Sequence, residues 1–177
     1  MTTALLVIDF QNGLVATDPL PGDATNFAEN VRLLTQRARA AQVPVVFVQH
    51  EDEELVPGST AWAIADAANA QAGDYRVGKR TPDSYLNTEL GEILAKHAVT
   101  HVVICGYATE FCVDTTTRRS AANGFTVTLA ADAHTTHDKH HATAATIREH
   151  HNQTLSSMRS FGPRISAVRT ADIVFEA

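Results

Sequence analysis

The sequence lacks the marks of several large protein classes. Its only cysteines are Cys105 and Cys112, too few for a disulfide framework or a cysteine-built metal cluster. No apolar run nears the roughly 20 residues of a membrane span. The opening Leu5-Leu6-Val7-Ile8 run is too short for a signal peptide and has no basic start. There is no cluster of lysine or arginine, and the formal charge is −6, so nucleic acid and anionic membrane are poor partners. No Gly-x-Gly-x-x-Gly loop follows the first apolar run, which argues against a dinucleotide cofactor. Repeats, low-complexity linkers and internal composition shifts are missing too. What remains is a chain with 44% hydrophobic residues over 177 positions, enough for one domain, residues 1–177, with its own core. Free thiols without a targeting segment lead us to expect a cytoplasmic protein.

Apolar runs alternate with amphipathic stretches. Ala4–Ile8, Val43–Val48, Tyr75–Gly78, His101–Cys105 and Phe125–Leu129 read as strands, and Ser166–Val168 with Ile173–Phe175 supplies a last one. Between them, Asn26-x-x-Glu29 resembles a capping box opening a helix to about residue 41, with Phe27, Val31, Leu34 and Ala38 on one face. A short helix is expected after Pro57-Gly58, and another, capped by Asn87 or Thr88, carries Leu90, Ile93 and Leu94. Strand and helix in alternation predict an α/β protein: a three-layer α/β/α sandwich around a mostly parallel, Rossmann-like sheet of five or six strands.

Function gathers beyond the carboxyl ends of strands in such folds. The fourth strand stops at Gly106, turns through Tyr107-Ala108-Thr109-Glu110-Phe111, and delivers Cys112 at the start of a helix closed by Asn123-Gly124. A thiol at a helix N-terminus is expected to have a lowered pKa and to be a nucleophile. Asp9 ends the first strand; beside Asn12-Gly13 it is equally a turn former or a general base. His50 follows the second strand and is either functional or a solvated loop histidine. Lys79, after the weak third strand, would by itself be an ordinary surface lysine. Six histidines fall between His134 and His151. His137 and His141 share a helical spacing, but a helix from about Asp138 to His151 with histidines outward explains them without a metal.

Gly106-Tyr107-Ala108-Thr109-Glu110-Phe111-Cys112-Val113 resembles the Gly-x-x-Thr-(Asp/Glu)-x-Cys-Val signature of the isochorismatase-like cysteine hydrolases, which include nicotinamidases, carbamoyl-sarcosine and ureidoacrylate amidases, and isochorismatases. Asp9 and Lys79 occur in the family's order, and the likeness covers nearly the whole chain. The resemblance implies a catalytic set of Asp9, Lys79 and Cys112. It also implies an oxyanion hole from the N–H groups of Ala108 and Cys112, with a cis Tyr107–Ala108 bond. Trp62, Tyr85, Tyr107 and Phe111 are the aromatics expected to border the substrate, although packing is the usual role of a lone tryptophan. Tyr85 stands where the family usually has phenylalanine. Nicotinamidases carry an Asp-x-His metal pair after the second strand; here Gln49-His50-Glu51-Asp52 breaks it, so no metal and no cofactor are expected and nicotinamide is disfavoured. The reading is a hydrolase of small-molecule amide or carbamoyl C–N bonds, in a homo-oligomer of two or more copies. The alternatives are enol-ether hydrolysis of the isochorismatase kind and a Rossmann-like binding protein with an incidental cysteine.

Overall fold

Alternating strands and helices become a sheet covered on both faces. The computed structural model describes residues 2–175. Among these, six strands, β1 (Thr3–Ile8), β2 (Val45–His50), β3 (Tyr75–Lys79), β4 (His101–Tyr107), β5 (Thr126–Thr135) and β6 (Ile165–Val168), form one sheet in the order β3-β2-β1-β4-β5-β6. Every pairing is parallel. The helices are α1 (Asn12–Val15), α2 (Ala24–Ala40), α3 (Leu90–Lys96), α4 (Asp114–Ala122) and α5 (Ala144–Ser157). Side chains alternate across the sheet. Ala4, Leu6 and Ile8 of β1 therefore join Leu90 and Leu94 of α3, Ala121 of α4 and Leu155 of α5 on one face. Leu5 and Val7 join Phe27, Val31, Leu34 and Ala38 of α2 on the other. Burial of each Leu, Ile, Val or Phe among them stabilises by about 1.5–3 kcal/mol, so both helix layers are held by the strands' unbroken apolar runs.

Several local expectations are corrected. Helix α2 begins at Ala24 because Asp23, left-handed at φ 55°, ends the incoming turn, and Asn26 donates to its carboxylate at 2.7 Å instead of capping the helix. Residues 57–62 form no helix: the amides of Asn12 and Gly13 bond the carbonyls of Ala63 and Ala61, so this segment runs alongside the loop after β1. Helix α5 starts later than the histidine pattern implied. The Thr143 hydroxyl caps it by accepting from the Thr146 amide at 3.2 Å, which leaves His140 and His141 in the preceding loop. The last strand stops at Val168, since Asp132 accepts hydrogen bonds from both the amide and the hydroxyl of Thr170 and draws the chain into a short turn.

The order of the strands reverses between β1 and β4, which leaves a crevice at their carboxyl ends. Ile8 pairs with Val48 on one side and Gly106 on the other, and His50 pairs with Lys79. Gly106 permits the close approach: at φ 123°, a Cβ there would sit 2.0 Å from the Ile8 carbonyl oxygen. Among the described residues no helix is long and apolar enough to cross a membrane.

Candidate active site

Asp9, Lys79 and Cys112 meet at this crevice. The Lys79 ammonium donates to Asp9 Oδ2 at 2.9 Å and to Cys112 Sγ at 3.2 Å, and it lies 3.2 Å from His50 Nδ1. A lysine reading as an ordinary surface residue is thus among the largest fully buried side chains of the protein. A buried ammonium without partners would lose its proton; here each of its three N–H directions has an acceptor. Asp9 is held at φ 49°, in the left-handed region that side chains rarely adopt, and its amide donates to the Val48 carbonyl at 2.8 Å. Its second oxygen, Oδ1, is buried and makes no hydrogen bond.

The electrostatics differ from the expected low-pKa thiol. Burial pushes Cys112 up to about 12, the Asp9 carboxylate adds to the rise, and Lys79 opposes it. The reason lies in the local backbone. Residues Thr109–Val113 form a π-helical turn before α4, so the sulfur sits half-buried beside a carboxylate rather than in the first turn of a regular helix. Burial likewise raises Asp9 above the usual carboxylate range, with Lys79 as the main opposing influence. Each group alone resists ionisation, and one ammonium stabilises one negative charge between them. Cys105, fully buried in β4, is pushed up by burial alone and packs as core.

The turn that carries Cys112 is fastened from behind. The Tyr107–Ala108 bond is cis, as the signature implied. Thr109 is fully buried, and its hydroxyl meets His134 Nδ1 at 2.9 Å. Asn152 Nδ2 donates to the Ala131 carbonyl at 3.0 Å, so its Oδ1 faces His134 Nε2 at 2.9 Å as an acceptor. That assigns the His134 proton to Nε2 and makes the Thr109 hydroxyl the donor to Nδ1. Burial pushes His134 down to about 4, in keeping with a neutral ring. On the same side Glu110 accepts from the Thr136 hydroxyl at 2.9 Å and pairs with Lys139 at 3.3 Å.

The four aromatics are dispersed. Tyr107 hydrogen-bonds His137 Nδ1 at 2.7 Å. Trp62 gives its carbonyl to the side chains of Gln11 and Gln49, both at 3.0 Å, and its indole N–H is buried without a partner. It lines a cavity of about 450 Å³ with Asp66, Asn69 and Arg76. Phe111 is 55% exposed and lines a different, apolar cavity of about 390 Å³ with Lys139, Ile147 and His150. Tyr85 belongs to packing: its hydroxyl meets Ser120 of α4 at 2.9 Å and its ring stacks on Phe125. Among the described residues, only Asp9, His50 and Cys112 form a group of three with metal-ligand atoms, all within 4.8 Å of one another. The Lys79 ammonium contacts all three and already supplies positive charge there. Among the described residues the histidines from His134 to His151 form no such group of three.

Sequence reasoning missed Gln11 and underweighted His50. Gln11 is fully buried, donates to the His50 carbonyl at 2.9 Å and accepts from the His50 amide at 2.7 Å, tying the ends of β1 and β2 together. A polar residue two places after a buried strand's terminal acid is the one trace of this in the sequence. Thr109, His134 and Asn152 lie far apart along the chain and leave no local pattern.

Known proteins share this fold. A family model described as the isochorismatase domain matches residues 3–170. Streptothricin hydrolase of Streptomyces noursei is 33% identical over 138 residues, 76% of this chain but 55% of that protein, so the chain spans little more than half the length of this relative. Nicotinamidase 3 of Arabidopsis thaliana is 30% identical over 159 residues, 79% of this chain and 77% of the relative. The crystal structure of an isochorismatase family protein superposes with a TM-score of 0.86 at 31% identity, covering 94% of this chain and 98% of the other. With a match running from β1 to the turn after β6, the chain belongs to the isochorismatase family of hydrolases.

Proposed function

We propose that the protein is a cysteine hydrolase that cleaves an amide or carbamoyl C–N bond of a small molecule through an acyl-thioester on Cys112. The observation that carries this reading is the Lys79 ammonium hydrogen-bonded at once to Asp9 and Cys112 in a buried crevice. Asp9⁻ with Cys112–SH and Asp9–H with Cys112–S⁻ carry the same net charge beside Lys79. The thiol proton can therefore pass to Asp9 without drawing charge from solvent, and the free Oδ1 is the oxygen able to take it. The thiolate attacks the carbonyl carbon, and the tetrahedral oxyanion is met by the N–H groups of Ala108 and Cys112. The Asp9 carboxylic acid then protonates the departing nitrogen as the C–N bond breaks. Asp9, ionised again, takes a proton from water, whose oxygen opens the thioester and returns Cys112 as the thiol. Lys79 balances one negative charge throughout.

In this reading Tyr107, just before the turn that carries Cys112, and Phe111, within it, contact the substrate, and Trp62 belongs to the separate cavity with Asp66, Asn69 and Arg76. The relatives named for hydrolysis of streptothricin and for nicotinamidase activity support C–N cleavage over enol-ether chemistry, which does not need the thiol. The test is a hydrolysis screen of small amides, ureas and carbamoyl acids, with Cys112→Ala as the blank. At least one compound is expected to release amine or ammonia with the native protein alone. Equal release by the Cys112→Ala variant would remove the cysteine from the mechanism.

A further inference from the structure

We propose that His50 is a positioning residue for this site: its Nδ1 accepts the third ammonium proton of Lys79 and so aims the other two at Asp9 and Cys112. The inference rests on Asp9, Lys79 and Cys112 being the reacting set. The three N–H bonds of an ammonium are fixed about the Cε–Nζ axis, so holding one direction sets the others. Lys79 has three acceptors, Asp9 Oδ2 at 2.9 Å, Cys112 Sγ at 3.2 Å and His50 Nδ1 at 3.2 Å. Lysine has no acceptor of its own, so the imidazole proton resides on Nε2, where Asp52 Oδ2 lies 3.4 Å away.

The imidazole is itself held at both ends. Its main chain is clamped by Gln11, at 2.7 Å on the amide and 2.9 Å on the carbonyl. Asp52 is fixed by accepting from the amides of Glu54 and Leu55 at 2.8 and 2.7 Å. Burial and the Lys79 charge hold the ring below its ordinary pKa, against the opposing pull of Asp9, Asp52 and Glu51, which favours the bare Nδ1. His50 thus couples the exposed loop after β2 to a cation that has no solvent contact. Without the acceptor, one ammonium proton is left unsatisfied in a dry site, and Lys79 turns from the sulfur towards Asp9.

The experiment is alkylation of Cys112 by iodoacetamide across pH, read by intact mass, in the native protein and in His50→Leu, His50→Asn and His50→Gln. An asparagine oxygen falls where Nδ1 stood; the longer glutamine reaches the Nε2 position instead. Removing the acceptor is expected to slow alkylation about tenfold at neutral and mildly alkaline pH. His50→Leu and His50→Gln should show this loss, while His50→Asn stays close to the native profile. A leucine variant with the native profile, or an asparagine variant as slow as the glutamine one, overturns the proposal. If His50→Leu unfolds and labels Cys105 as well, the asparagine–glutamine contrast decides alone. No substrate enters the assay, so an unaffected profile leaves the hydrolase reading standing, and failure of every amide in the screen leaves the His50 result standing.

Discussion

Replacing Lys79 by methionine removes a cation from a place that water does not reach. The side chains of Lys79 and Asp9 are 0% and 2% exposed, and their contact is 2.9 Å. Deleting one partner of a buried ion pair costs about 3–5 kcal/mol, because the remaining charge keeps its desolvation penalty and loses its counter-ion. Asp9 relieves part of this by binding a proton, since the influence that lowers its pKa has gone. Lys79→Met is accordingly expected to lose about 3 kcal/mol, and Asp9→Asn a similar amount by stranding the ammonium. The double variant carries no buried charge at either position and should be more stable than each single variant. Urea unfolding with constant m gives the three differences from the shifts in midpoint. Losses that simply add in the double variant would refute the pairing, since uncoupled sites are additive and a paired buried charge is not.

Three further outcomes follow from particular contacts. His134 is neutral in the folded protein, with its pKa pushed down to about 4, whereas the unfolded chain binds a proton near 6.5; its contribution is complete above pH 6.5 and is lost as pH falls towards 4, about 3 kcal/mol in all. Asp9, with its raised pKa, acts in the opposite sense, so the native protein is compared with His134→Gln; equal slopes of stability against pH from 6.5 to 4 would contradict the assignment. Gly106→Ala puts a Cβ 2.0 Å from the Ile8 carbonyl oxygen at φ 123° and should destabilise by about 4 kcal/mol or more, and an unchanged melting temperature would contradict that packing. Chelator treatment should leave hydrolysis unchanged because Lys79 supplies the positive charge among Asp9, His50 and Cys112; stoichiometric zinc in protein prepared without added metal would count against this.

The strands were legible because a parallel sheet buried on both faces demands continuous apolar runs, and Leu5-Leu6-Val7-Ile8 and Val102-Val103-Ile104 are such runs. Helix limits were less so, since they depend on bonds to remote residues, such as the amides of Asn12 and Gly13 holding residues 61–63. Cys112 could be picked out from a strand end, Asp9 at its strand end was equally a turn former until the resemblance decided it, and Lys79 was visible only through the resemblance. Nothing local distinguishes a lysine that will be buried against Asp9, 70 positions away in sequence. The thiol's elevated pKa was equally out of reach: a strand–turn–helix pattern suggests a helix dipole, but burial and the neighbouring carboxylate prevail. The Thr109–His134–Asn152 chain joins three separate elements, so its histidine looked like one more member of a polar cluster.

The central claim is that Cys112 forms and breaks a bond to substrate. Acid-quenched mass spectrometry during turnover of the best amide from the screen tests it most directly. A mass increase equal to the acyl part of the substrate is expected, located on the peptide containing Cys112 and missing in Cys112→Ala. Continued product formation by Cys112→Ala, with the native Cys112 at its unmodified mass throughout turnover, would contradict it.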